Sequence, residues 1–292
     1  MDNKSRRKGH IMNSFTDIMA DVDKLDPLPQ TAAKLAQIVS DEKSVIDDVV
    51  KIVQYDQAIS AVILKMANSA FSASKRKMNS VKECVIRLGP GRILEILVSK
   101  GVRGVMNRPL KQYGYVEKEL WYHSVASAIA AEYINKYAKT NISGISFTAA
   151  LLHDLGKLLI VNKLSDTEVF EILKLIRNEK ISWSEAEKKV FGFNHADIGA
   201  KIADIWKLPE SIIQAILNHH NDEHDFDPIT DCVRVSNVVA RVVGHGIGLE
   251  GMGVSIDSNI AERLIISREQ FELICAETAQ KFNEVISMYD NA

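Results

Sequence analysis

Apolar residues recur every three or four positions along most of the chain, which is the spacing of amphipathic helices. In the first third this pattern predicts five short helices, at about 32–39, 45–55, 58–70, 80–88 and 92–105. Farther along it predicts helices at about 117–138, 146–163, 194–206, 210–220, 229–243 and 267–288. No long stretch alternates with a period of two, so the predicted fold class is all-α.

Signals for helix ends and loops accompany this pattern. We expect Ser146 to cap the helix that runs to about residue 163, and Asn194 to cap another, with Asp197 completing a capping-box-like pattern. Pro209 stands where a first-turn proline opens a helix. Five glycines fall within 244–253. A plain loop is the favoured interpretation of that stretch, ahead of a flexible lid over a pocket.

The helices divide into two predicted subdomains. Residues 1–20 are polar and partly basic and are expected to be a flexible lead-in. An N-terminal helical subdomain is predicted over 21–112 and a C-terminal helical subdomain over 113–288. The two would occupy nearly all of the 292 residues. We therefore expect any input signal to arrive through a separate protein or a pocket.

Charge and composition narrow the function classes. The chain has 36 Lys and Arg residues against 38 Asp and Glu residues, a net charge of −2. That balance argues against a surface devoted to nucleic acid or to anionic membrane. The basic runs at 5–8 and 75–77 are interpreted as solvated segments, so nucleic-acid binding ranks low among the hypotheses.

The expected location is the cytoplasm. No apolar run reaches the roughly 18–20 residues that span a bilayer, and no secretory signal follows the N-terminus. The three cysteines, Cys84, Cys232 and Cys275, are odd in number and far apart. We interpret them as reduced core residues, not as a disulfide framework.

The densest chemical signal is the segment LLHDLGK at 151–157. Adjacent His153 and Asp154 on a helix can lean toward one point, and an imidazole nitrogen beside a carboxylate oxygen suits a divalent metal such as Mn, Fe or Zn. Lys157, one turn away, could hold a phosphate oxygen. Gly156 costs helix stability, and clearance for a ligand or a crossing helix would explain it.

Histidines on other predicted helices supply partners for this pair, as in helical bundles whose facing helices share a metal. They are His123, His195, His219 and His220. The alternative is a neutral histidine hydrogen-bonded to a carboxylate that only stabilises helix packing. That alternative is favoured for His224 and His245 taken alone.

An ordered set of motifs resembles the HDOD domain of bacterial signalling proteins. The matching segments are 28–29 (LP), 67–71 (ANSAF), 80–81 (SV), 88–89 (LG), 121–124 (WYHS), 151–157, 194–199 (NHADIG), 206–209 (WKLP) and 219–220 (HH). The resemblance covers roughly 20–285. It implies an all-helical protein whose second subdomain is an HD-domain-like helical bundle, related to HD-domain metal-dependent phosphohydrolases and to HD-GYP cyclic-di-GMP phosphodiesterases. HDOD proteins are regarded as regulatory modules without demonstrated catalysis.

The resemblance also implies a metal-binding set and a cofactor. The expected ligands are His123, His153, Asp154, His195, His219 and His220. The implied cofactor is a divalent metal, either Fe, Mn, Zn or Ni. Lys157 is retained as well, and a carboxylate, Glu119, lies one turn before His123.

The chain departs from the phosphohydrolase pattern in two places. Asn237 stands where those enzymes place their last metal-binding aspartate, which removes one negative charge that would offset a cation. Asp231 is nearly two turns away and is an unconvincing substitute. After His220 the chain reads NDEHDFDP and lacks Gly-Tyr-Pro, so cyclic-di-GMP is in doubt as a substrate.

Two functional hypotheses follow. The first is a non-catalytic signalling module that binds a partner signalling protein or a small ligand, such as a nucleotide or phosphate, through a degenerate HD metal site. The second is a metal-dependent phosphohydrolase or phosphodiesterase, in which the metal generates hydroxide and Lys157 acts catalytically by offsetting phosphate charge. The first is preferred because of Asn237 and the missing substrate motif.

Overall fold

The architecture comes from a computed structural model of the chain. It describes residues 16–22, 25, 28–41, 43, 45–54, 59–61, 63–65, 78–221, 224–251 and 258–290. The basic runs at 5–8 and 75–77, and the last two residues of the glycine-rich stretch, lie outside the described residues. So does the whole resemblance segment at 67–71.

Among the described residues of the N-terminal part, four helices have both ends defined and lie close to the predicted positions. They are α1 (Gln30–Ser40), α2 (Ile46–Val53), α3 (Val81–Leu88) and α4 (Pro90–Met106). Residues 59–61 and 63–65, within the helix predicted at 58–70, are helical too. The Ser80 hydroxyl accepts a hydrogen bond from the Glu83 amide at the start of α3. Such a bond satisfies one of the free N–H groups of a first turn.

The described residues of the remaining chain form ten further helices and three 3₁₀ turns. The helices are α5 (Glu119–Tyr137), α6 (Ser146–Leu152), α7 (Lys157–Ile160), α8 (Asp166–Glu179), α9 (Trp183–Phe191), α10 (His195–Ile205), α11 (Glu210–Asn218), α12 (Pro228–Val242), α13 (Ser258–Leu264) and α14 (Arg268–Asp290). The 3₁₀ turns are Lys111–Tyr113, Val161–Lys163 and Gly248–Glu250. No strand occurs in the part of the chain that the structure describes, and the predicted all-α class is confirmed.

The single helix predicted over 146–163 is wrong. Helix α6 ends at Leu152, a turn occupies 153–156, and α7 begins at Lys157. Ser146 is not a cap, because it is the first helical residue and its hydroxyl accepts a hydrogen bond from the Asn135 side chain. Fully buried side chains surround the turn, so tertiary packing outweighs the helix propensity of this segment.

Other helix ends follow the predicted chemistry. Asn194 is the N-cap of α10, and its side chain and that of Asp197 bond each other's backbone amides. Pro209 precedes the first helical residue of α11 instead of occupying the first turn. Helices α8 and α9 were not predicted. Each begins with a serine–glutamate capping box that the sequence does contain.

Helix α5 is the centre of the C-terminal bundle. It packs against α6, α12 and α14, and α4 of the N-terminal part touches both α5 and α6. Four buried alanines let these neighbours approach closely, namely Ala126, Ala128, Ala130 and Ala131. One hydrophobic core therefore runs from the N-terminal helices into the bundle. Among the described residues, no helix combines the length and apolarity that crossing a bilayer would require.

Candidate metal centre

The turn after α6 places two polar side chains in the middle of the bundle. His153 and Asp154 are both fully buried. A Cβ on Gly156 would lie 1.9 Å from the His195 carbonyl oxygen and 2.7 Å from the Gly199 nitrogen. Glycine thus lets the turn pack closely against the first turns of α10. Of the two expected reasons for this glycine, a ligand or a crossing helix, the structure shows the crossing helix. This contact brings His195 Nε2 to 3.3 Å from Asp154 Oδ1.

A first group of candidate ligands forms where α5 meets the turn. His123 Nε2 lies 3.2 Å from His153 Nε2 and 3.3 Å from Asp154 Oδ2. His153 Nε2 lies 3.4 Å from the same carboxylate oxygen. Two imidazole nitrogens and a carboxylate oxygen therefore converge within the reach of one ion.

A second group of candidate ligands also includes Asp154 but lies near its other carboxylate oxygen, Oδ1. His219 Nε2, at the end of α11, lies 3.7 Å from Asp154 Oδ1. His220 Nε2 lies 3.0 Å from His195 Nε2. Asp154, His195, His219 and His220 have ligand atoms within 4.8 Å of one another. All six residues predicted from the sequence thus lie together, in two groups joined by Asp154. Their role as ligands stays a prediction.

The hydrogen bonds of the outward-facing Nδ1 atoms determine whether the inward-facing Nε2 atoms carry a proton or a lone pair. His123 Nδ1 lies 3.1 Å from the His245 carbonyl oxygen, His153 Nδ1 2.7 Å from that of Ala150, and His219 Nδ1 2.6 Å from that of Ile216. Carbonyl oxygens only accept hydrogen bonds, so Nδ1 carries the proton and Nε2 faces inward as a lone pair. Metal-binding histidines are commonly oriented in this way.

Burial keeps most of these rings neutral. It lowers the pKa of His123 to about 4 and that of His219 to about 3, although Asp154 opposes the shift in both. Burial would raise the pKa of Asp154, but the Lys157 ammonium at 2.8 Å opposes this effect, and the pKa lies well below its usual range. Neutral imidazoles around an ionised carboxylate are the protonation states that metal coordination requires.

An orphaned nitrogen supports the fit of a cation. His219 Nε2 is buried and finds no hydrogen-bond partner among the described residues. Its neighbours His195, His220 and Asp154 are residues of the types that coordinate metal ions. Leaving a buried polar atom unpaired costs about 1–3 kcal/mol, and a cation among these atoms would remove that cost. The donor set therefore fits a borderline divalent metal.

A buried carboxylate that the sequence analysis missed orients His195. Glu187 of α9 is fully buried, and its Oε2 lies 2.7 Å from His195 Nδ1 and 2.9 Å from the His195 amide nitrogen. Its Oε1 accepts from the Tyr113 hydroxyl at 2.6 Å and the Trp183 indole at 2.8 Å. Burial would lower the pKa of His195, but Glu187 and Asp154 outweigh it and raise the pKa to about 9. The capping box of α9 could have located this helix, but no local signal marks an inward-facing glutamate.

Lys157 does not stand free for a substrate. It is fully buried, and its Nζ lies 2.8 Å from Asp154 Oδ2 and 2.7 Å from Glu250 Oε1. It also lies 5.4 Å from the ring centroids of Tyr113 and Tyr115. Burial would lower its pKa, but the two carboxylates outweigh that effect and raise it. The position next to the His–Asp pair is as predicted, but the charge is already neutralised.

The glycine-rich stretch is more than the plain loop we predicted. Its described part, 244–251, lies over the first ligand group and inserts Glu250 into the bundle. Glu250 also pairs with Arg241 of α12, at 2.5 Å from Nη2. The Gly246 amide donates to Glu119 Oε1 at 2.8 Å. Glu119 is thereby engaged by this segment.

Three other polar residues lie outside both ligand groups. Asp231 pairs with Arg263 at 2.7 Å through both oxygens and with His224 Nε2 at 3.0 Å, which agrees with rejecting it as a ligand. His245 stacks on Phe282 with ring centroids 4.0 Å apart. His224 and His245 thus fit the hydrogen-bonded or packed roles favoured for them.

A large cleft opens beside the second ligand group. Its volume is about 1070 Å³, slightly above the usual range of about 300–1,000 Å³ for small-molecule sites. His195, His219, His220 and Asn237 line it, and Asn237 Oδ1 has no hydrogen-bond partner within the described part of the chain. The other charged lining residues are Lys180, Lys188, Arg234, Arg241, Glu185, Asp197 and Glu250. The cleft can therefore admit a polar, charged molecule to the side of the His–Asp cluster.

Comparison with known families agrees with this architecture. The model of the HDOD domain matches residues 25–222, about two thirds of the chain. The chain belongs to the HDOD domain family. The match includes the turn with His153 and Asp154 and the His219–His220 pair, and it ends before Asn237 and Glu250.

Several solved structures share the HDOD fold. An HDOD domain protein of unknown function from Geobacter sulfurreducens is 26% identical, with a TM-score of 0.67 over 99% of this chain and 98% of that one. A candidate signal transduction protein from Marinobacter aquaeolei VT8 is 22% identical, with a TM-score of 0.70 over 91% of this chain and 59% of its own. A candidate metal-dependent phosphohydrolase from Shewanella amazonensis SB2B is 18% identical, with a TM-score of 0.53 over 94% and 99% of the two chains.

A curated relative, an uncharacterized protein of Treponema pallidum (strain Nichols), is 25% identical over an alignment of 243 residues that covers 80% of this chain. The chain spans 46% of that relative's length. The relative thus contains a large region outside the matched one.

Proposed function

We propose that this HDOD chain is a non-catalytic regulatory module of signal transduction that holds a divalent metal at the His–Asp cluster and binds a small ligand or a partner protein. The observation that carries the proposal is the double pairing of Lys157 with Asp154 and Glu250. While Glu250 is in place, this buried cation is already neutralised and does not offset the charge of a phosphate ester. The three free cysteines are compatible with a reducing compartment, and we propose the cytoplasm.

The metal would be held by His123, His153 and Asp154 on one side, and by Asp154, His195, His219 and His220 on the other. Nitrogen and carboxylate donors suit Fe, Mn, Zn or Ni. Asn237 on the cleft wall adds a neutral carbonyl oxygen where an aspartate would add a charge. We interpret that loss of charge as weakening a hydrolytic centre while leaving enough ligands to retain a metal.

A second candidate function is a metal-dependent phosphohydrolase. It is favoured by the inward lone pairs of His123, His153 and His219 and by the open cleft that His219 lines. A bound metal would supply a water of lowered pKa in such an enzyme.

Metal analysis and a hydrolysis assay separate the two functions. The full chain, purified without chelators, is analysed for metal per chain and for release of phosphate or nucleotide from a panel of phosphate mono- and diesters. The variants are His153→Ala and, as a matched control outside both ligand groups, His224→Ala.

The proposed function predicts bound metal that His153→Ala loses and His224→Ala keeps, with no turnover above that of His153→Ala. Turnover that depends on His153 would establish the enzyme instead. Less than about 0.1 metal ion per chain in the wild type would overturn both assignments, since each requires the ion.

A further inference from the structure

A segment at 244–251, here called the strap, carries a buried carboxylate into the wall of the cleft. The strap is tied to the bundle by the Gly246 amide, which donates to Glu119, and by the Gly246 carbonyl, which accepts from the Tyr115 hydroxyl at 3.1 Å. Its 3₁₀ turn packs against the turn Lys111–Tyr113. The Glu250 side chain at its end is 2% exposed and lines the cleft.

The groups around Glu250 form an anion-binding set. Lys157 Nζ lies 2.7 Å from one carboxylate oxygen, and Arg241 and the Tyr115 hydroxyl, at 3.3 Å, contact the other. Burial would raise the pKa of Glu250, but Lys157 and Arg241 outweigh it and lower the pKa to about 2. Glu250 is therefore an anion, held by two cations and a hydroxyl donor.

This set has binding capacity that Glu250 does not use. Arg241 is 6% exposed, lines the cleft and keeps its Nε without a hydrogen-bond partner among the residues that the structure describes. A guanidinium offers a fork of N–H donors that suits a ligand with several acceptor oxygens. The carboxylate of Glu250 supplies only two oxygens, and Lys157 and Tyr115 share them with Arg241.

We propose that Glu250 is an internal occupant of an anion site formed by Lys157, Arg241 and Tyr115, and that a phosphoryl group of a small molecule displaces it as the strap moves away. The inference rests on the ligand-binding part of the proposed function and makes it more specific. It does not depend on the metal, because the positive charges of the site are the side chains of Lys157 and Arg241. Ligand binding in the cleft would then be signalled by a change of conformation, the displacement of the strap.

The chemistry selects a phosphoryl group over a carboxylate. Glu250 is tethered, so it competes at an effective concentration that a free carboxylate of equal charge cannot match at ordinary concentrations. A phosphoryl group brings a charge near −1.5 to −2 and three acceptor oxygens, which can engage Lys157, Arg241 and Tyr115 together. The cleft of about 1070 Å³ leaves room for the molecule that carries it.

Calorimetric titration with inorganic phosphate tests the proposal on the full chain after chelator treatment, so that metal cannot bind the phosphate. Glu250→Gln removes the internal anion and should bind phosphate at least tenfold more tightly than the wild type. Adding Arg241→Gln to that variant should abolish the gain. Glu185→Gln is the matched control, because it removes one charge from the cleft wall on α9, a different helix from those that carry Lys157 and Arg241, and its glutamine suits the capping box. It should change the affinity less than twofold.

Gly248→Ala provides an independent test that keeps the charge of Glu250. Its Cβ would lie 2.3 Å from the Tyr113 carbonyl oxygen, and Gly248 has a φ of +41°. The substitution should therefore loosen the strap, raise the phosphate affinity, and speed proteolytic cleavage near 244–251.

An affinity unchanged in both Glu250→Gln and Gly248→Ala would overturn the proposal, as would an equal gain in Glu185→Gln. If Glu250→Gln does not fold, Gly248→Ala alone decides. Metal content, measured separately on untreated protein, reports whether the proposed metal centre fails independently.

Discussion

The Glu187 carboxylate lies 2.7 Å from His195 Nδ1 and also accepts a bond from the backbone amide of the same residue at 2.9 Å. It thereby determines both the position of the His195 ring and which ring nitrogen faces Asp154. Carboxylates that orient a histidine in this way affect metal affinity without touching the metal.

Glu187→Gln should weaken metal binding and lower stability. Glutamine has one acceptor oxygen where the carboxylate accepts four hydrogen bonds, so at least one buried donor loses its partner, at a cost of about 1–3 kcal/mol. Metal affinity should fall by about 10–100-fold. Chelator competition and denaturant unfolding measure the two effects. Glu171→Gln, an exposed glutamate on α8, should change neither, and unchanged metal affinity in Glu187→Gln would reject the positioning role.

Asn237→Asp should have opposite effects with and without metal. In metal-free protein it places a carboxylate where the amide oxygen already lacks a partner among the described residues, which should cost about 1–3 kcal/mol. With metal, the added charge should raise affinity about tenfold or more, because ligand charge tunes cation affinity. Unfolding with and without added Mn²⁺ or Zn²⁺ checks both signs.

Asn218→Asp is the control for that experiment, since it adds the same charge at a half-buried position of the same cleft. It should leave metal affinity nearly unchanged. Equal gains in both variants would show a general charge effect and not a ligand position at Asn237.

Gly156→Ala should be strongly destabilising. Its Cβ would lie 1.9 Å from the His195 carbonyl oxygen, a backbone atom that cannot move without shifting α10. We expect a loss on the order of 3 kcal/mol or more, together with lost metal binding. Gly104→Ala is the matched control, because no atom lies within 4 Å of its Cβ and it stands inside α4. That change should stabilise the protein by about 0.5–1 kcal/mol. Denaturant unfolding compares the pair, and similar losses in both would contradict the close approach.

Glu95→Gln should remove a pH dependence of stability. Arg92 lies 2.5 Å from Glu95 and 2.7 Å from Glu132, so one cation serves two carboxylates, and Lys281 lines the same small cavity. Burial raises the pKa of Glu95 from its ordinary 4.5 to about 7, with Glu132 adding to the effect and Arg92 opposing it. The folded protein therefore binds this proton more tightly than the unfolded chain, and the stabilisation present below about pH 4.5 is lost as the pH rises toward 7.

The wild type and Glu95→Gln should thus be similar in stability near pH 5, and the variant should be more stable by about 2–3 kcal/mol above pH 7. Unfolding free energies between pH 5 and 8 measure this difference. Glu132→Gln removes the competing carboxylate, so that Arg92 pairs with Glu95 only. The pH at which the stabilisation from protonated Glu95 is lost should then be lower. A difference between wild type and Glu95→Gln that does not vary with pH would contradict the raised pKa.

The sequence by itself determined the helical class, most helix positions and the presence of a histidine-rich cluster around Asp154. These are carried by local chemistry, since helical periodicity, the capping pair Asn194 and Asp197, and adjacent His153 and Asp154 are all short-range features. Helices α8 and α9 carry an equally local signal in the serine–glutamate capping boxes at their N-termini.

Only the tertiary structure decided which charges surround that cluster. Glu187 contacts Tyr113 across 74 residues, and Glu250 contacts Tyr115 across 135, with no motif around either glutamate. The tertiary structure also decided that the helix predicted over 146–163 breaks at 153–156 and that Lys157 forms a buried ion pair with Glu250. The physical reason is that a buried charge is stable only where other elements supply its partner, and packing across the bundle, not local sequence, brings those partners together.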